Sequence, residues 1–220
     1  QILFHNEAEK DILEIIDNIK KENPDVIFVT GKELTESISK EIKNIPIVFA
    51  MVLELERTNL QNISGISMEV NINKQLETIK KVLPDSKKIG VIYSEKSNSV
   101  IIEARKVANN LKMELMAEKV DEEKDVAIIF DKLVRAGIQL LWIITDKTVC
   151  TKENLTYLIH TATLKNIGVY GLTSGYVKAG ALLSLSVNYR DIGRQAAELV
   201  RNYLQGKRDH GIISPKRLDL

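Results

Sequence analysis

Short apolar segments alternate with longer amphipathic segments along most of the chain. Five segments rich in valine and isoleucine are almost uniformly apolar, as expected of β-strands buried on both faces. They are Val26–Val29, Ile45–Met51, Ile89–Tyr93, Leu140–Thr145 and Ile167–Tyr170. The pattern predicts helices over residues 8–22, 33–43, 71–82, 97–111, 123–136, 150–165 and 190–205. Strands and helices in this repeating order predict an α/β protein with parallel sheets flanked by helices.

Three breaks in the alternation divide the chain. The stretch Leu53–Gly65 is polar and irregular, and a short apolar patch from Ile63 to Ile66 ends it. A second break lies near Ser186–Asp191, and a third follows Gly206. We interpret the breaks as three passages between two lobes. The predicted first lobe holds residues 1–62 plus 188–207, and the predicted second lobe holds residues 63–187 plus 208–220.

Charge and composition exclude some classes of function. The 220 residues include 31 Lys and Arg against 30 Asp and Glu, a formal net charge of +1. General nucleic-acid or membrane-surface binding needs a clear basic excess, so we expect no nucleic-acid partner. Cys150 is the single cysteine, which excludes an intrachain disulfide. The chain opens on Gln1 without a signal peptide, and we expect a mature or trimmed chain whose targeting segment is absent.

Residue types that catalyse reactions or bind metals do not cluster in the sequence. His5, His160 and His210 are isolated from other ligands at metal-binding spacing. Cys150 has no acid–base partner nearby in sequence, and we expect a buried structural thiol. The nucleophile-elbow, phosphate-loop and dinucleotide-binding motifs are all missing from the sequence. We therefore predict a protein that is not an enzyme and that uses neither a metal nor a cofactor.

Polar loops follow four of the predicted strands. In open α/β sheets, the carboxyl ends of the strands face the ligand crevice. Hydroxyl groups and helix N-terminal amides at these positions suit an anionic group such as a carboxylate. Helix capping is the alternative interpretation, since serine, threonine, asparagine and aspartate are also preferred N-cap residues. The candidate ligand-binding residues are Gly31, Lys32, Ser94, Ser97, Asn98, Ser99, Asp146, Lys147, Thr148, Thr173, Ser174 and Tyr176.

The same loops and several other segments resemble a known family. The chain is similar to ABC-transporter substrate-binding proteins of the tryptophan/phenylalanine-binding lipoprotein type, over nearly its whole length. The segments that carry the resemblance are Pro24–Ile27, Ile45–Phe49, Asn62–Gly65, Leu83–Tyr93, Gly180–Ser184, Asn188–Tyr189 and Gly193–Ala197. The resemblance implies a two-lobed type I periplasmic-binding-protein fold with a ligand cleft. It also implies an extracytoplasmic protein, membrane-anchored or periplasmic.

Departures from the family pattern concern the loops and the start of the chain. Lys32 and Lys147 stand in loops that correspond to uncharged family positions, and Thr173–Gly175 replaces an acidic segment. The ammonium group of an amino-acid ligand favours an acidic partner. The added lysines and the lost acidic segment therefore make the pocket less suited to an aromatic amino acid. Family members also open with a strand and helix upstream of the segment that matches Ile2–Asn6. We therefore expect a reduced first lobe that lacks its usual first strand and helix.

Two functions fit the resemblance. The first is the solute-binding component of an ABC importer, with an ABC permease as partner and an amino acid or similar carboxylate as ligand. The alternative is a ligand-sensing extracytoplasmic or regulatory domain, with an attached signalling domain as partner. We expect a strand at Gln1–Asn6, which either pairs beside Val26–Val29 in a βαβ unit or leaves an exposed edge in the reduced first lobe. Such an edge invites pairing with another chain. We accordingly expect a homodimer through the first lobe, with Ile2 and Phe4 in its interface.

Overall fold

A computed structural model describes residues 11–53, 62–207 and 211–220. Its helices are α1 (Ile12–Glu22), α2 (Lys32–Glu41), α3 (Ile72–Val82), α4 (Asn98–Asn110), α5 (Val126–Arg135), α6 (Lys152–Leu164), α7 (Ser174–Lys178) and α8 (Tyr189–Leu204). Its strands are β1 (Ile27–Thr30), β2 (Ile47–Val52), β3 (Ile63–Ser67), β4 (Lys88–Tyr93), β5 (Glu114–Lys119), β6 (Leu140–Trp142), β7 (Gly168–Gly171), β8 (Leu183–Ser184), β9 (Ser186–Val187), β10 (Gly211–Ile213) and β11 (Leu218–Asp219). Short 3₁₀ turns at Glu95–Ser97 and Glu123–Asp125 lead into α4 and α5.

The first compact unit is built on a parallel sheet of strand order β1-β2-β3-β10. Helix α2 packs against β1 and β2, and α8 packs against β2 and β3. Both faces of β2 are therefore covered, and its side chains are almost all buried. Apolar residues of α1, α2 and the strands form one core cluster, in which Ile47 and Phe49 are fully buried. Near-continuous apolarity in this strand is the expected consequence of burial on both faces.

The second compact unit is built on a five-stranded parallel sheet of order β5-β4-β6-β7-β8. One core cluster of this unit is formed by strands β4, β6 and β7 with helices α5 and α6. Phe130, Leu133 and Leu158 are the fully buried centre of this cluster. The single tryptophan, Trp142 on β6, is 1% exposed and donates its indole N–H to Gln75 Oε1 at 2.9 Å. The predicted α/β class with parallel sheets flanked by helices is confirmed.

The boundaries between the units differ from the predicted ones. The first unit holds the described residues up to Glu69 together with Val187–Leu218, and the second holds Val70–Ser186 with Asp219–Leu220. The prediction gave residues 63–187 and 208–220 to the second lobe. That assignment fails for β3 and β10, because β3 pairs in parallel with β2 and β10 pairs in parallel with β3. The passage predicted near Ser186–Asp191 lies at residues 186 and 187.

Asparagine side chains cap two of the helices. Asn71 caps α3, and its side chain accepts a hydrogen bond from the Asn73 amide at 2.7 Å. For α8 the cap is Asn188, whose side chain accepts from the Asp191 amide at 2.9 Å. Asp191 lies in the first turn of α8, where its negative charge interacts favourably with the helix dipole. The helix begins one residue earlier than the predicted start at residue 190.

The predictions about the first residues of the chain lie outside the described residues. These are the strand at Gln1–Asn6, its position in a reduced first lobe, and the dimer interface at Ile2 and Phe4. They stay predictions. Within the described part of the chain, no helix is both long enough and apolar enough to cross a membrane.

Candidate ligand-binding site

Three of the four predicted loops meet at one edge of the second unit. Strands β4, β6 and β7 are consecutive neighbours in the sheet and run parallel, so their carboxyl ends lie at the same edge. The segment after β4 holds residues 94–99, of which Asn98 and Ser99 form the first turn of α4 and not a loop as predicted. The loop after β6 includes residues 145–149, and the loop after β7 leads into α7. We call these three loops together the carboxyl edge.

Asp146 joins the loop after β4 to the loop after β6. One carboxylate oxygen, Oδ2, accepts from the Ser94 amide and from the Ser97 hydroxyl, both at 2.7 Å. The other oxygen, Oδ1, accepts from the amides of Thr148 at 3.0 Å and Val149 at 3.2 Å. The residue is 3% exposed. Both oxygens of the carboxylate are therefore engaged by donors of its own unit.

The same contacts control the ionisation of Asp146. Burial acts to raise the pKa of the carboxyl group, because desolvation penalises its charged form. Hydrogen bonds from Ser94, Ser97 and Val149 act in the opposite direction and prevail, so the pKa of Asp146 lies below its usual value. An ionised carboxylate accepts hydrogen bonds at both oxygens, which is what the surrounding donors require. The group is therefore a charged, fully hydrogen-bonded acceptor at neutral pH.

Helix capping explains only part of this arrangement. Ser97 occupies the position before α4, yet its side chain makes no capping bond and donates to Asp146 instead. Thr173 likewise precedes α7 without a side-chain capping bond. Asp146 does accept from the two amides that follow it in its own turn, which is the local pattern that capping predicts. Its bonds to Ser94 and Ser97 span about fifty residues of sequence and need a tertiary explanation.

Tyr176 of α7 and Cys150 of the loop after β6 pack against one core cluster. The Cys150 thiol donates to the carbonyl of Ile144 at 3.2 Å. Cys150 and Tyr176 both pack against the core cluster of the second unit, and each influences the pKa of the other. Burial raises the pKa of the Cys150 thiol and raises the pKa of Tyr176 to about 12. Cys150 is thus a protonated and half-buried thiol beside the site, whereas the sequence predicted a buried structural thiol.

A close backbone approach shapes the same loop. Tyr176 lies directly against Gly171, the last residue of β7, where an added Cβ would come within 2.3 Å of the Tyr176 Cβ. Only glycine leaves room for the tyrosine at this point. The first turn of α7 is therefore held close to the end of the strand.

The predicted site residues of this unit fall into two groups. Ser94, Ser97 and Asp146 are buried, and their polar atoms bond within the unit, so they form the frame of the carboxyl edge. The residues with exposed or half-buried side chains at this edge are Asn98, Ser99, Lys147, Thr148, Thr173, Ser174 and Tyr176. Whether either group contacts a ligand stays a prediction.

The fourth predicted loop belongs to the first unit. Gly31 follows β1 with a φ of 90°, a left-handed conformation that favours glycine, and α2 begins at the next residue. The Thr35 hydroxyl donates to the Gly31 carbonyl at 2.5 Å. Lys32 lies 3.8 Å from Glu36, one helical turn onward, so its charge is partly compensated within α2.

Sequence reasoning did not identify which neighbours hold the frame together. Ile144 and Val149 contribute backbone groups, and no side-chain pattern in the sequence signals such a role. The close contact of Gly171 with Tyr176 depends on α7, which was not predicted. Among the described residues, no cluster of histidine, cysteine, aspartate and glutamate could hold a metal ion.

Comparison with known proteins identifies the family. The sequence pattern of the ABC transporter substrate binding proteins matches residues 3–217 of the chain. The chain belongs to this family. A curated relative, the tyrosine-binding protein of Clostridioides difficile strain R20291, is 26% identical over 194 residues. That match covers 83% of this chain but only 55% of the relative, so the chain spans about half the length of this curated protein.

Solved structures of binding proteins share the fold. The ligand-free, open structure of a substrate-binding protein with adhesive properties from Clostridium difficile matches with a TM-score of 0.77 at 23% identity, over 96% of this chain and 76% of that one. An ABC domain from Streptococcus pneumonia in complex with L-Trp matches with a TM-score of 0.61 at 16% identity, over 94% and 75% of the two chains. The predicted resemblance and the type I periplasmic-binding-protein fold are confirmed.

Membership of the family also bears on activity. Its members are substrate-binding proteins and not enzymes, which confirms the prediction that this chain is not an enzyme. Such proteins bind small-molecule ligands and work with ABC permeases, outside the cytoplasm. The alternative of a sensory domain, the homodimer and the lipid anchor stay predictions.

Proposed function

We propose that this chain is the solute-binding component of an ABC importer and that it captures an amino acid or a similar small carboxylate at the carboxyl edge. The proposal places the protein outside the cytoplasm with an ABC permease as its partner. The observation that carries it is the joining of the loops after β4 and β6 by hydrogen bonds to Asp146, with Tyr176 of the third loop packed against the same core cluster as Cys150.

The chemistry of the carboxyl edge supports a carboxylate ligand. Hydroxyl groups of Ser99, Thr148 and Thr173 are at least partly exposed there, and hydroxyl and backbone N–H groups are suitable donors to a carboxylate. The ammonium group of Lys147 is exposed in the same loops, and no ion-pair partner lies within 4 Å among the described residues. Asp146 offers no free oxygen to an incoming cation, because its donors occupy both oxygens.

The similar proteins support an amino acid as the first ligand to test. One curated relative is a tyrosine-binding protein, and one solved structure of the same fold holds L-Trp. Neither match fixes the ligand of this chain. A panel of the twenty amino acids, with sugars and simple dicarboxylates as further classes, therefore covers the relevant chemistry.

Calorimetric titration of the full chain with this panel tests the proposal. We expect one amino acid or carboxylate to bind with a stoichiometry of one. Replacement of Thr173 by Ala should weaken that binding by roughly ten-fold, the usual effect of losing one ligand hydrogen bond. Thr156→Ala is the matched control, since Thr156 is an exposed threonine on α6 whose hydroxyl donates to the Lys152 carbonyl of its own helix.

Two outcomes contradict the proposal. The first is binding of none of the compounds by a folded protein, together with the absence of a retained small molecule in native mass spectrometry of the protein from its source. The second is equal loss of affinity in Thr173→Ala and Thr156→Ala, because it would place the ligand elsewhere.

A further inference from the structure

The buried carboxylate of Asp146 is the hydrogen-bond acceptor shared by two loops of the carboxyl edge. Donors reach it from Ser94 and Ser97 on one side and from Thr148 and Val149 on the other. The separation of the two loops would leave a buried charge and several buried N–H and O–H groups without partners, and both are costly. The two loops are therefore bound to each other through a single side chain.

We infer that Asp146 is a positioning residue that holds these two loops in their ligand-binding geometry before any ligand arrives. The inference rests on the proposed function for its relevance to binding, and it replaces direct ligand contact as the expected role of Asp146. Binding loops that are already ordered lose less conformational entropy when the ligand binds, which increases affinity.

The chemistry requires an ionised carboxylate at this position. Every neighbour of the Asp146 oxygens is a donor, so a protonated acid or an amide would direct a hydrogen towards another donor. Asparagine keeps the size of the side chain but offers one oxygen in place of two. The Asp146→Asn variant therefore preserves the packing and removes about half of the hydrogen bonds.

Other titratable groups surround the carboxylate and are distinguishable from it. Cys150 in the same turn has a pKa raised by burial, and so does Tyr176 from α7, so both titrate far above the range of a carboxyl group. Glu95 is exposed and pairs with Lys119 at 2.8 Å. Lys96 and Lys147 lie in the same two segments with exposed side chains.

Amide hydrogen exchange of the ligand-free full chain tests the inference. We compare the wild-type protein with Asp146→Asn and with the control Asp131→Asn, which neutralises an exposed aspartate on α5. The Ser94, Thr148 and Val149 amides should exchange on the order of ten- to a hundred-fold faster in Asp146→Asn only, since bonds to charged acceptors are among the strongest. Exchange in the β5 strand and in α6 should stay unchanged.

A pH titration of the wild-type protein by nuclear magnetic resonance gives a second readout that needs no variant. The Ser94, Thr148 and Val149 amide signals should move together on acidification, with one common midpoint below the ordinary aspartate value of about 3.9.

These results separate the inference from the proposed function. The inference is overturned if Ser94 titrates apart from Thr148 and Val149, or if their exchange is the same in wild type and Asp146→Asn. Neither measurement uses a ligand, so both can succeed even when the amino-acid panel fails. If L-tyrosine or L-tryptophan binds, its affinity should fall in Asp146→Asn through the loss of loop order, and Asp131→Asn should bind like the wild type.

Discussion

Replacement of Gly171 by Ala is expected to destabilise the second unit and to disturb the carboxyl edge. A Cβ atom at this position would lie 2.3 Å from the Cβ, 2.7 Å from the Cγ and 2.9 Å from the Cδ1 of Tyr176. The nearest atom is bonded directly to the backbone of α7, so a change of side-chain rotamer cannot move it away. The first turn of α7 must therefore shift away from the end of β7.

The magnitude follows from the cost of overpacking. An extra methyl group in a well-packed interior costs typically 1–3 kcal/mol, and the alanine recovers about 0.5–1 kcal/mol of the backbone entropy that glycine loses. The expected net loss in the free energy of unfolding is about 1 kcal/mol, equivalent to about 2–4 °C in the melting temperature. The displaced Tyr176 should also lose its position beside Cys150, which loosens the third loop of the edge.

Trp142 is the natural probe for this experiment. It is the single tryptophan, it is buried in β6, and β6 pairs with the strand that ends at Gly171. Urea unfolding followed by tryptophan fluorescence therefore reports on the unit that carries the substitution.

The control is Gly193→Ala on α8, where an added Cβ meets no atom within 4 Å. That helix-interior change should stabilise the protein by up to about 1 kcal/mol. A Gly171→Ala protein as stable as the wild type would refute the reasoning.

The remaining predictions concern the first unit, a helix cap and acid stability. Gly65→Ala should lower the free energy of unfolding by at least about 3 kcal/mol, because its Cβ would lie 2.3 Å from the backbone oxygen of Phe49. Denaturation followed by circular dichroism measures this loss, and an unchanged midpoint would contradict the close approach of β2 and β3. Asn71→Ala should lower the free energy of unfolding by about 1 kcal/mol, because the Asn73 amide loses its acceptor. Asn71→Ser should retain most of the stability, and equal melting temperatures of the two variants would contradict this. Because the pKa of Asp146 is lowered in the folded state, its contribution is present above the unfolded pKa of about 3.9 and is lost as pH falls through the folded pKa. Unfolding of the wild type should therefore depend more steeply on pH below about 4 than unfolding of Asp146→Asn, and parallel curves would exclude the effect.

Strands buried on both faces were predictable from the sequence. The segments that became β2, β4 and β7 are continuous apolar runs, and their observed bounds lie within two residues of the predicted ones. In contrast, β5 was missed because it reads Glu-Leu-Met-Ala-Glu-Lys, with polar residues at both ends. It lies at the edge of its sheet, where polar side chains reach solvent and no apolar run is required.

Strands that depend on tertiary pairing were not assigned correctly. The residues of β3 were seen only as an apolar patch after a polar stretch, and β10 has three residues with no strong pattern. Both strands owe their place in the first unit's sheet to partners distant in sequence, since β10 pairs with β3 at a separation of about 150 residues. Local periodicity carries no information on such pairing. The predicted lobe boundaries moved for this reason.

The bulge at the end of β2 was also not predictable from the sequence. The register between β2 and β3 shifts between Phe49 and Val52, and Met51 adopts a φ of 60° at this point. Glycine or asparagine would have signalled a left-handed residue in the sequence, whereas methionine does not. The conformation is set by the pairing of Val52 with Ser67 after the shift.

The candidate site shows how loop chemistry divides between frame and surface. Residue type alone placed Ser97 and Ser99 in the same class, although one is buried against Asp146 and the other is exposed. A buried charge is tolerated only when several donors surround it, so Asp146 requires its neighbours to be donors with fixed positions. Ser99 has no such constraint and can be replaced without leaving a buried group unpaired. It follows that changes at exposed edge residues should alter ligand preference at little cost in stability, whereas changes at frame residues should alter stability and binding together.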